Sequence, residues 1–178
     1  MKWLNRLFGG PKDMAALTAG TKAPEISLPA LDGGKFSLQS ALQRGPVLAA
    51  FFKVSCPICQ YTFPFLERLH KAYGGQKITI VGISQDNQRD TAAFLKEYGV
   101  TFPTLLDDPK GYAVSNAYGL TNVPTWFLIG QDGQIEISSV GWVKQEVEDL
   151  NRKLAEAQQA PPQALFRPGE DVSDFRAG

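Results

Sequence analysis

Val47-Leu48-Ala49-Ala50-Phe51-Phe52, followed at once by Lys53-Val54-Ser55-Cys56-Pro57-Ile58-Cys59, sets an unbroken apolar run against a turn that holds both cysteines of the chain. Six consecutive apolar residues opened by Gly45-Pro46 read as a buried strand. Beyond the turn the period changes. Phe65, Leu66, Leu69 and Tyr73 fall at helical spacing within Tyr61 to Tyr73, and Gly74-Gly75 stops them. Pro64 lies inside that pattern and is expected to kink it. A strand that delivers Cys-x-x-Cys to the first turn of a helix changes what a thiol can do. Helix amides and the helix dipole favour negative charge at Cys56, and Cys59 sits about one turn further in, within reach of a disulfide bond. The expectation is a dithiol/disulfide exchange site. Cys56 attacks; Cys59, more buried and held as a thiol, resolves.

Composition narrows the setting. The 178 residues suit one domain with a real core, and 43% apolar with 20% charged residues is ordinary for a globular chain. Eighteen basic and eighteen acidic side chains cancel, so no nucleic-acid partner is expected. Two cysteines are too few for a disulfide scaffold. Met1 to Gly10 lacks the apolar core and small-residue cleavage site of a signal peptide, and no run reaches the roughly 20 apolar residues of a membrane span. Trp3, Leu4, Leu7 and Phe8 read as a terminal turn in preference to an interfacial helix. A cytoplasmic location is the expectation, with export left open.

Working outward, residues 1–21 read as an N-terminal extension, 22–156 as the domain and 157–178 as a tail. Glu25–Leu28 and Lys35–Leu38 flank Asp32-Gly33-Gly34 as a hairpin. Lys77–Ser84 reads as a second core strand. Asn87 caps a helix through Thr91, Phe94, Leu95 and Tyr98. Phe102–Leu106 reads as a short strand, and Asp108-Pro109 as the start of a short helix through Ala117. Pro124–Ile129 and Gln134–Val140 pair around Gln131-Asp132-Gly133. Val143, Val147, Leu150 and Leu154 mark a last helix, with Glu148/Arg152 and Asp149/Lys153 as i,i+4 pairs. The Gln/Pro/Gly-rich tail is expected to be loose, with Leu165, Phe166 and Phe175 as its potential anchors. Parallel crossovers followed by a hairpin and a helix give an α/β fold, a central mixed β-sheet with helices on both faces.

These residues resemble the thioredoxin superfamily, in particular its TlpA/ResA-like and AhpC/TSA-like branches, over residues 22–155. Phe51-Phe52 ahead of Cys56-Pro57-Ile58-Cys59 resembles the family's active-site strand and turn, and Pro64 its kinking helix proline. Val81-Gly-Ile-Ser-Gln-Asp resembles the second core strand. Tyr98-Gly-Val-Thr-Phe-Pro and Ala117-Tyr-Gly-Leu resemble its central insertion, and Asn122-Val123-Pro124-Thr125 before Phe127-Leu-Ile resembles the cis-proline loop and third strand. The resemblance implies a thioredoxin-like fold with an N-terminal β-hairpin and a central insertion. It implies a Val123–Pro124 cis bond beside the two sulfurs, where the Val123 backbone offers an edge to an extended client segment. Val123, Pro124 and Thr125, with Pro57 and Ile58, are then substrate-binding residues. Lys53, Ser55, Thr62 and Phe52 tune the site.

The departures from that pattern are specific. Ser55 stands where thioredoxins usually have Trp, Thr62 where ResA-like proteins carry a buried Glu, and Ala50 where thioredoxins carry a buried Asp. Lys53 reads either as an electrostatic substitute, since an ammonium nearby stabilises a thiolate, or as a snorkelling surface lysine. The implied activity is thiol-disulfide exchange through a mixed disulfide, reducing protein disulfides. The implied partners are a protein thiol/disulfide client and an upstream thiol donor, with the oligomeric state open. No cofactor is expected beyond the redox-active Cys56–Cys59 disulfide.

Three other classes compete. An AhpC/TSA-type peroxidase needs Pro and Thr at positions 49 and 53, which are Ala49 and Lys53. A structural zinc site needs four soft ligands, and His70 is the single histidine, read here as solvated. A non-catalytic interaction protein on the same scaffold would not need both cysteines together with Val123-Pro124-Thr125.

Overall fold

The structure, a computed structural model, describes residues 15–107 and 111–178. The expectations for residues 1–14, including Trp3, Leu4, Leu7 and Phe8, and for a helix start at Asp108-Pro109, lie outside these residues.

The chain opens with a small antiparallel hairpin, β1 (Ser27–Pro29) and β2 (Lys35–Ser37). Helix α1 (Leu38–Leu42) follows directly, started by Ser37, whose hydroxyl accepts from the Ser40 amide. Then come β3 (Val47–Phe52), α2 (Pro57–Tyr73), β4 (Thr79–Ser84), α3 (Gln88–Glu97) and β5 (Thr104–Leu106). The chain continues through α4 (Ala113–Ala117), β6 (Thr125–Ile129), β7 (Ile135–Val140), β8 (Trp142–Val143), α5 (Lys144–Ala157) and β9 (Phe175–Arg176). The main sheet has the order β5-β4-β3-β6-β7. Strand β3 lies parallel to β4 and antiparallel to β6, so the sheet is mixed, and its five strands with helices on both faces make a thioredoxin-like fold.

Strand β3 is fully buried on both faces. Leu48, Ala50 and Phe52 pack in one core with residues of α2, α3 and α5, including Phe63, Leu66, Phe94 and Leu150. Val47, Ala49 and Phe51 face the other core, built by the hairpin, α1, α4 and Tyr118. Strand alternation thus splits one apolar run between two layers of helix. Phe52 meets Phe63 at 4.4 Å and Phe94 at 4.9 Å between ring centroids, which seats the cysteine end of β3 rigidly on α2 and α3.

Several expectations need correction. Helix α4 begins at Ala113, after Tyr112 in the left-handed region (φ 44°). On α5, Arg152 pairs with Asp149, three residues earlier, in place of the expected Glu148/Arg152 and Asp149/Lys153 pairs; the two spacings compete for the same helix surface. His70 is half-buried, not solvated; its Nδ1 is buried without a hydrogen-bond partner, and its ring lies 5.9 Å from that of Phe102.

The tail departs most from expectation. Leu165 is buried, and Phe166 packs against the same core as α2 and α5. Glu170 forms a bidentate pair with Arg68 at 2.6 and 2.8 Å, while Arg68 also donates to the Leu165 carbonyl at 3.0 Å. Trp142 Nε1 donates to the Ser173 carbonyl at 2.6 Å. Phe175 does not anchor: its side chain is 65% exposed, and its backbone instead pairs with Val143 across β8 and β9.

Candidate active site

Cys56 is the N-cap of α2, in extended backbone (φ −83°, ψ 114°), with Pro57 in the first turn. Its sulfur takes the place of a capping oxygen, accepting from the Cys59 amide at 3.1 Å. A helix amide aimed at sulfur stabilises negative charge on it. The turn before it is fixed from outside. The Val54 amide donates to Asp86 Oδ2 at 2.8 Å, Gln60 Nε2 donates to the Val54 carbonyl at 3.0 Å, and the Cys56 amide donates to the Lys53 carbonyl at 3.2 Å.

Cys56 and Cys59 are not bonded to each other in this structure. Cys56 is half-buried and Cys59 fully buried. Burial pushes the Cys59 thiol well above its ordinary range, and its hydrogen bond with Cys56 raises it further. Of the two sulfurs, one is reachable and capped by an amide, and the other is enclosed and held protonated.

The Val123–Pro124 peptide bond is cis. Thr125 Oγ1 donates to the Asn122 carbonyl at 2.8 Å, and the Gly141 amide donates to the Pro124 carbonyl at 2.8 Å, which tie the loop to the head of β6 and to β7. The Cys56 thiol donates to the Val123 carbonyl at 3.4 Å. Residues 67 positions apart therefore meet at the reactive sulfur. Among the described residues no acceptor stands against the Val123 amide.

The remaining predicted residues divide. Ile58 is half-buried against the core, whereas Pro57 and Ser55 are exposed beside Cys56. Phe52 is buried behind the turn. Lys53 is exposed, and its ammonium lies 5.9 Å from the Tyr112 ring centroid. Together with Gln85, Ser115, Asn122 and Val123, those two residues line a recess of about 250 Å³ at the edge of the site. Thr62, fully buried, leaves its hydroxyl without a hydrogen-bond partner. Among the described residues no cluster of three or more His, Cys, Asp or Glu side chains is placed to hold a metal ion.

Sequence reading missed Asp86, Asn122 and Tyr61. Asp86 acts on a backbone amide 32 residues away, a pairing no local pattern encodes. Asn122 lies within the loop, and its side chain donates to the Gly178 carbonyl at 3.1 Å, a partner 56 positions away. Tyr61, by pattern only the start of a helical stretch, packs its ring edge-on against Trp142 at 5.0 Å, and its hydroxyl accepts from the Ser173 amide at 3.0 Å.

Comparisons with known proteins bear on this arrangement. A family model described as AhpC/TSA family matches residues 19–138. The chain is 31% identical over 140 residues to the thiol-disulfide oxidoreductase ResA of Halalkalibacterium halodurans, covering 78% of each chain. It is 32% identical over 142 residues to the thioredoxin-like protein YneN of Bacillus subtilis, covering 77% of this chain and 81% of that one. Among solved structures, a thiol:disulfide interchange protein of the thioredoxin family from Chlorobium tepidum superposes with a TM-score of 0.65 at 25% identity, over 80% of this chain and 99% of that one.

Proposed function

The chain belongs to the AhpC/TSA family, in the ResA-like branch of the thioredoxin superfamily, and from that membership and the geometry at Cys56 we propose that it reduces disulfides in protein clients through a mixed disulfide. As a thiol-disulfide oxidoreductase it needs one accessible nucleophile and one sheltered thiol. The observation that carries the reading is the meeting of three groups: Cys56 Sγ takes the Cys59 amide at 3.1 Å and lies 3.4 Å from the Val123 carbonyl.

In the proposed sequence the Cys56 thiolate attacks one sulfur of the client disulfide. A Cys56–client disulfide forms, and the client's other sulfur leaves as a thiolate that takes up a proton. Cys59 then loses its proton and attacks Cys56 Sγ, closing Cys56–Cys59 and releasing the second client thiol. An upstream dithiol donor supplies the two electrons that reopen the disulfide. Burial of Cys59 slows the second step, because its thiol ionises only reluctantly. Val123 and the loop at Pro124 and Thr125 receive the client backbone, with exposed Pro57 and half-buried Ile58 on the other side of the sulfur. Direction follows the relative reduction potentials. In a reducing setting, client reduction is the net reaction.

The peroxidase alternative asks for a hydroxyl beside Cys56 from position 53, which Lys53 does not have, and Ala49 is buried in β3. The test uses a disulfide-bonded peptide with dithiothreitol as donor. Reduction by the native chain should fall by about two orders of magnitude or more in Cys56→Ser, within the scale of loss seen when a covalent nucleophile is removed. Peroxide consumed rapidly by the native chain, with no peptide reduction, would overturn the assignment.

A further inference from the structure

The tail beyond Asp174 runs over the flank of the loop that carries Val123. Antiparallel pairing of β9 with β8 sets Arg176 opposite Trp142 and Phe175 opposite Val143. The chain then crosses Gly141 so closely that a Cβ there would stand 2.6 Å from the Arg176 carbonyl oxygen and 2.7 Å from the Gly178 amide nitrogen. Gly141 has φ +73°, so glycine serves this crossing both in conformation and in space. A Cβ on Gly178 would stand 3.0 Å from the Val123 carbonyl oxygen, the same atom that lies 3.4 Å from Cys56 Sγ. The tail is therefore separated from the reactive sulfur by a single carbonyl group.

Its two halves are fastened very differently. Residues 163–173 are tied down by buried Leu165, by Arg68 on Glu170, and by the bonds of Trp142 and Tyr61 to Ser173. Residues 175–178 are all exposed. Beyond the short β8–β9 ladder they are held by the Arg176 guanidinium 4.0 Å over the Tyr61 ring, by Arg176 Nε on Ser173 Oγ at 3.0 Å, and by Asn122 on the Gly178 carbonyl at 3.1 Å. Exposed contacts of this kind are individually weak. Residues 175–178 are thus held by fewer and more exposed contacts than residues 163–173.

We propose that Phe175–Gly178 is an internal strap on the client-docking face, which an extended client segment must displace to reach Val123 and Cys56. This rests on the reading of the site as one that docks protein disulfides. The strap also indicates which partner suits the face. A client that replaces it can give a main-chain carbonyl to Asn122 Nδ2 and an Arg or Lys side chain to the Tyr61 ring, so the fitting client segment is extended and basic.

The native chain is compared with a variant shortened to residue 174 and with Arg176→Ala, on two substrates. One is hydroxyethyl disulfide, small enough to reach Cys56 without docking; the other is an extended peptide disulfide flanked by arginines. The shortened variant should lower KM for the peptide about fivefold, the scale of one exposed cation–π contact with weak hydrogen bonds. Its kcat should not change, because a competitor of ground-state binding has been removed. Kinetics with hydroxyethyl disulfide should be unaltered. Arg176→Ala should lower peptide KM by a smaller factor and keeps the test available if the shortened chain folds poorly. Equal peptide KM in the native chain and Arg176→Ala, with both substrates reduced, would overturn the strap and leave the oxidoreductase assignment standing. Failure of every form to reduce either substrate would overturn that assignment instead.

Discussion

At the residue scale the site combines one half-buried, reachable sulfur with several buried groups that set its background. The placement of Cys56, Cys59 and the loop at Pro124, as distinct from their chemical roles, is legible in the sequence because each depends on a short local pattern: strand into turn, cysteine spacing, proline at the head of a strand. Asp86 was not, since it supports the turn from a different strand end. Thr62 was legible as a departure from the ResA-like pattern, but not as an unpartnered buried hydroxyl, which depends on packing from several elements. Burying a hydroxyl without a partner costs stability, and Val has nearly the same shape. Thr62→Val should therefore stabilise the fold by about 1 kcal/mol. Urea denaturation checks this, and a loss of stability would show that the hydroxyl is satisfied in solution.

At the scale of elements, β3, α2, β4 and α3 followed from periodicity and caps, with boundaries close to those expected. The short elements did not. Helix α1 spans five residues and β9 two, too few for any period to register. The tail was expected to be loose because its Gln/Pro/Gly composition carries few apolar residues. It is ordered through a charged pair and aromatic packing, with partners roughly a hundred positions away that no local window contains. The Glu170 carboxyl is lowered from the ordinary 4.5 to about 2, first by the hydrogen bond from Arg68 and then by the Arg167 amide. Between those values the folded tail binds fewer protons than the free one. Its docking is thus at full strength above pH 4.5 and weakens as pH falls toward 2. Limited proteolysis by pepsin across pH 5 to 2, compared with Glu170→Gln, tests this. The native tail should become cleavable as pH falls, whereas the variant should be more sensitive at pH 5 and change less.

At the scale of the molecule, the order of a mixed five-stranded sheet brings the end of β3 and the start of β6 side by side, and this alone places Cys56 against Val123. The fold class could be read from the order of elements, but the path of the tail over Trp142 could not. Trp142 is fully buried at the meeting point of α2, the sheet and the tail, touching Tyr61, Phe65 and Phe166. Trp142→Ala should cost about 3–5 kcal/mol by leaving a cavity there. Thermal or urea unfolding measures it, and a cost below 1 kcal/mol would mean the tail does not close this core. The central claim is that Cys56 is the attacking sulfur and Cys59 the resolving one. Reduced Cys59→Ser, mixed with a disulfide-bonded peptide and read by intact mass spectrometry, tests it most directly. The account predicts a stable one-to-one adduct on Cys56 that the native chain does not accumulate. A variant that forms no adduct, or one that still turns over the peptide at the native rate, would contradict it.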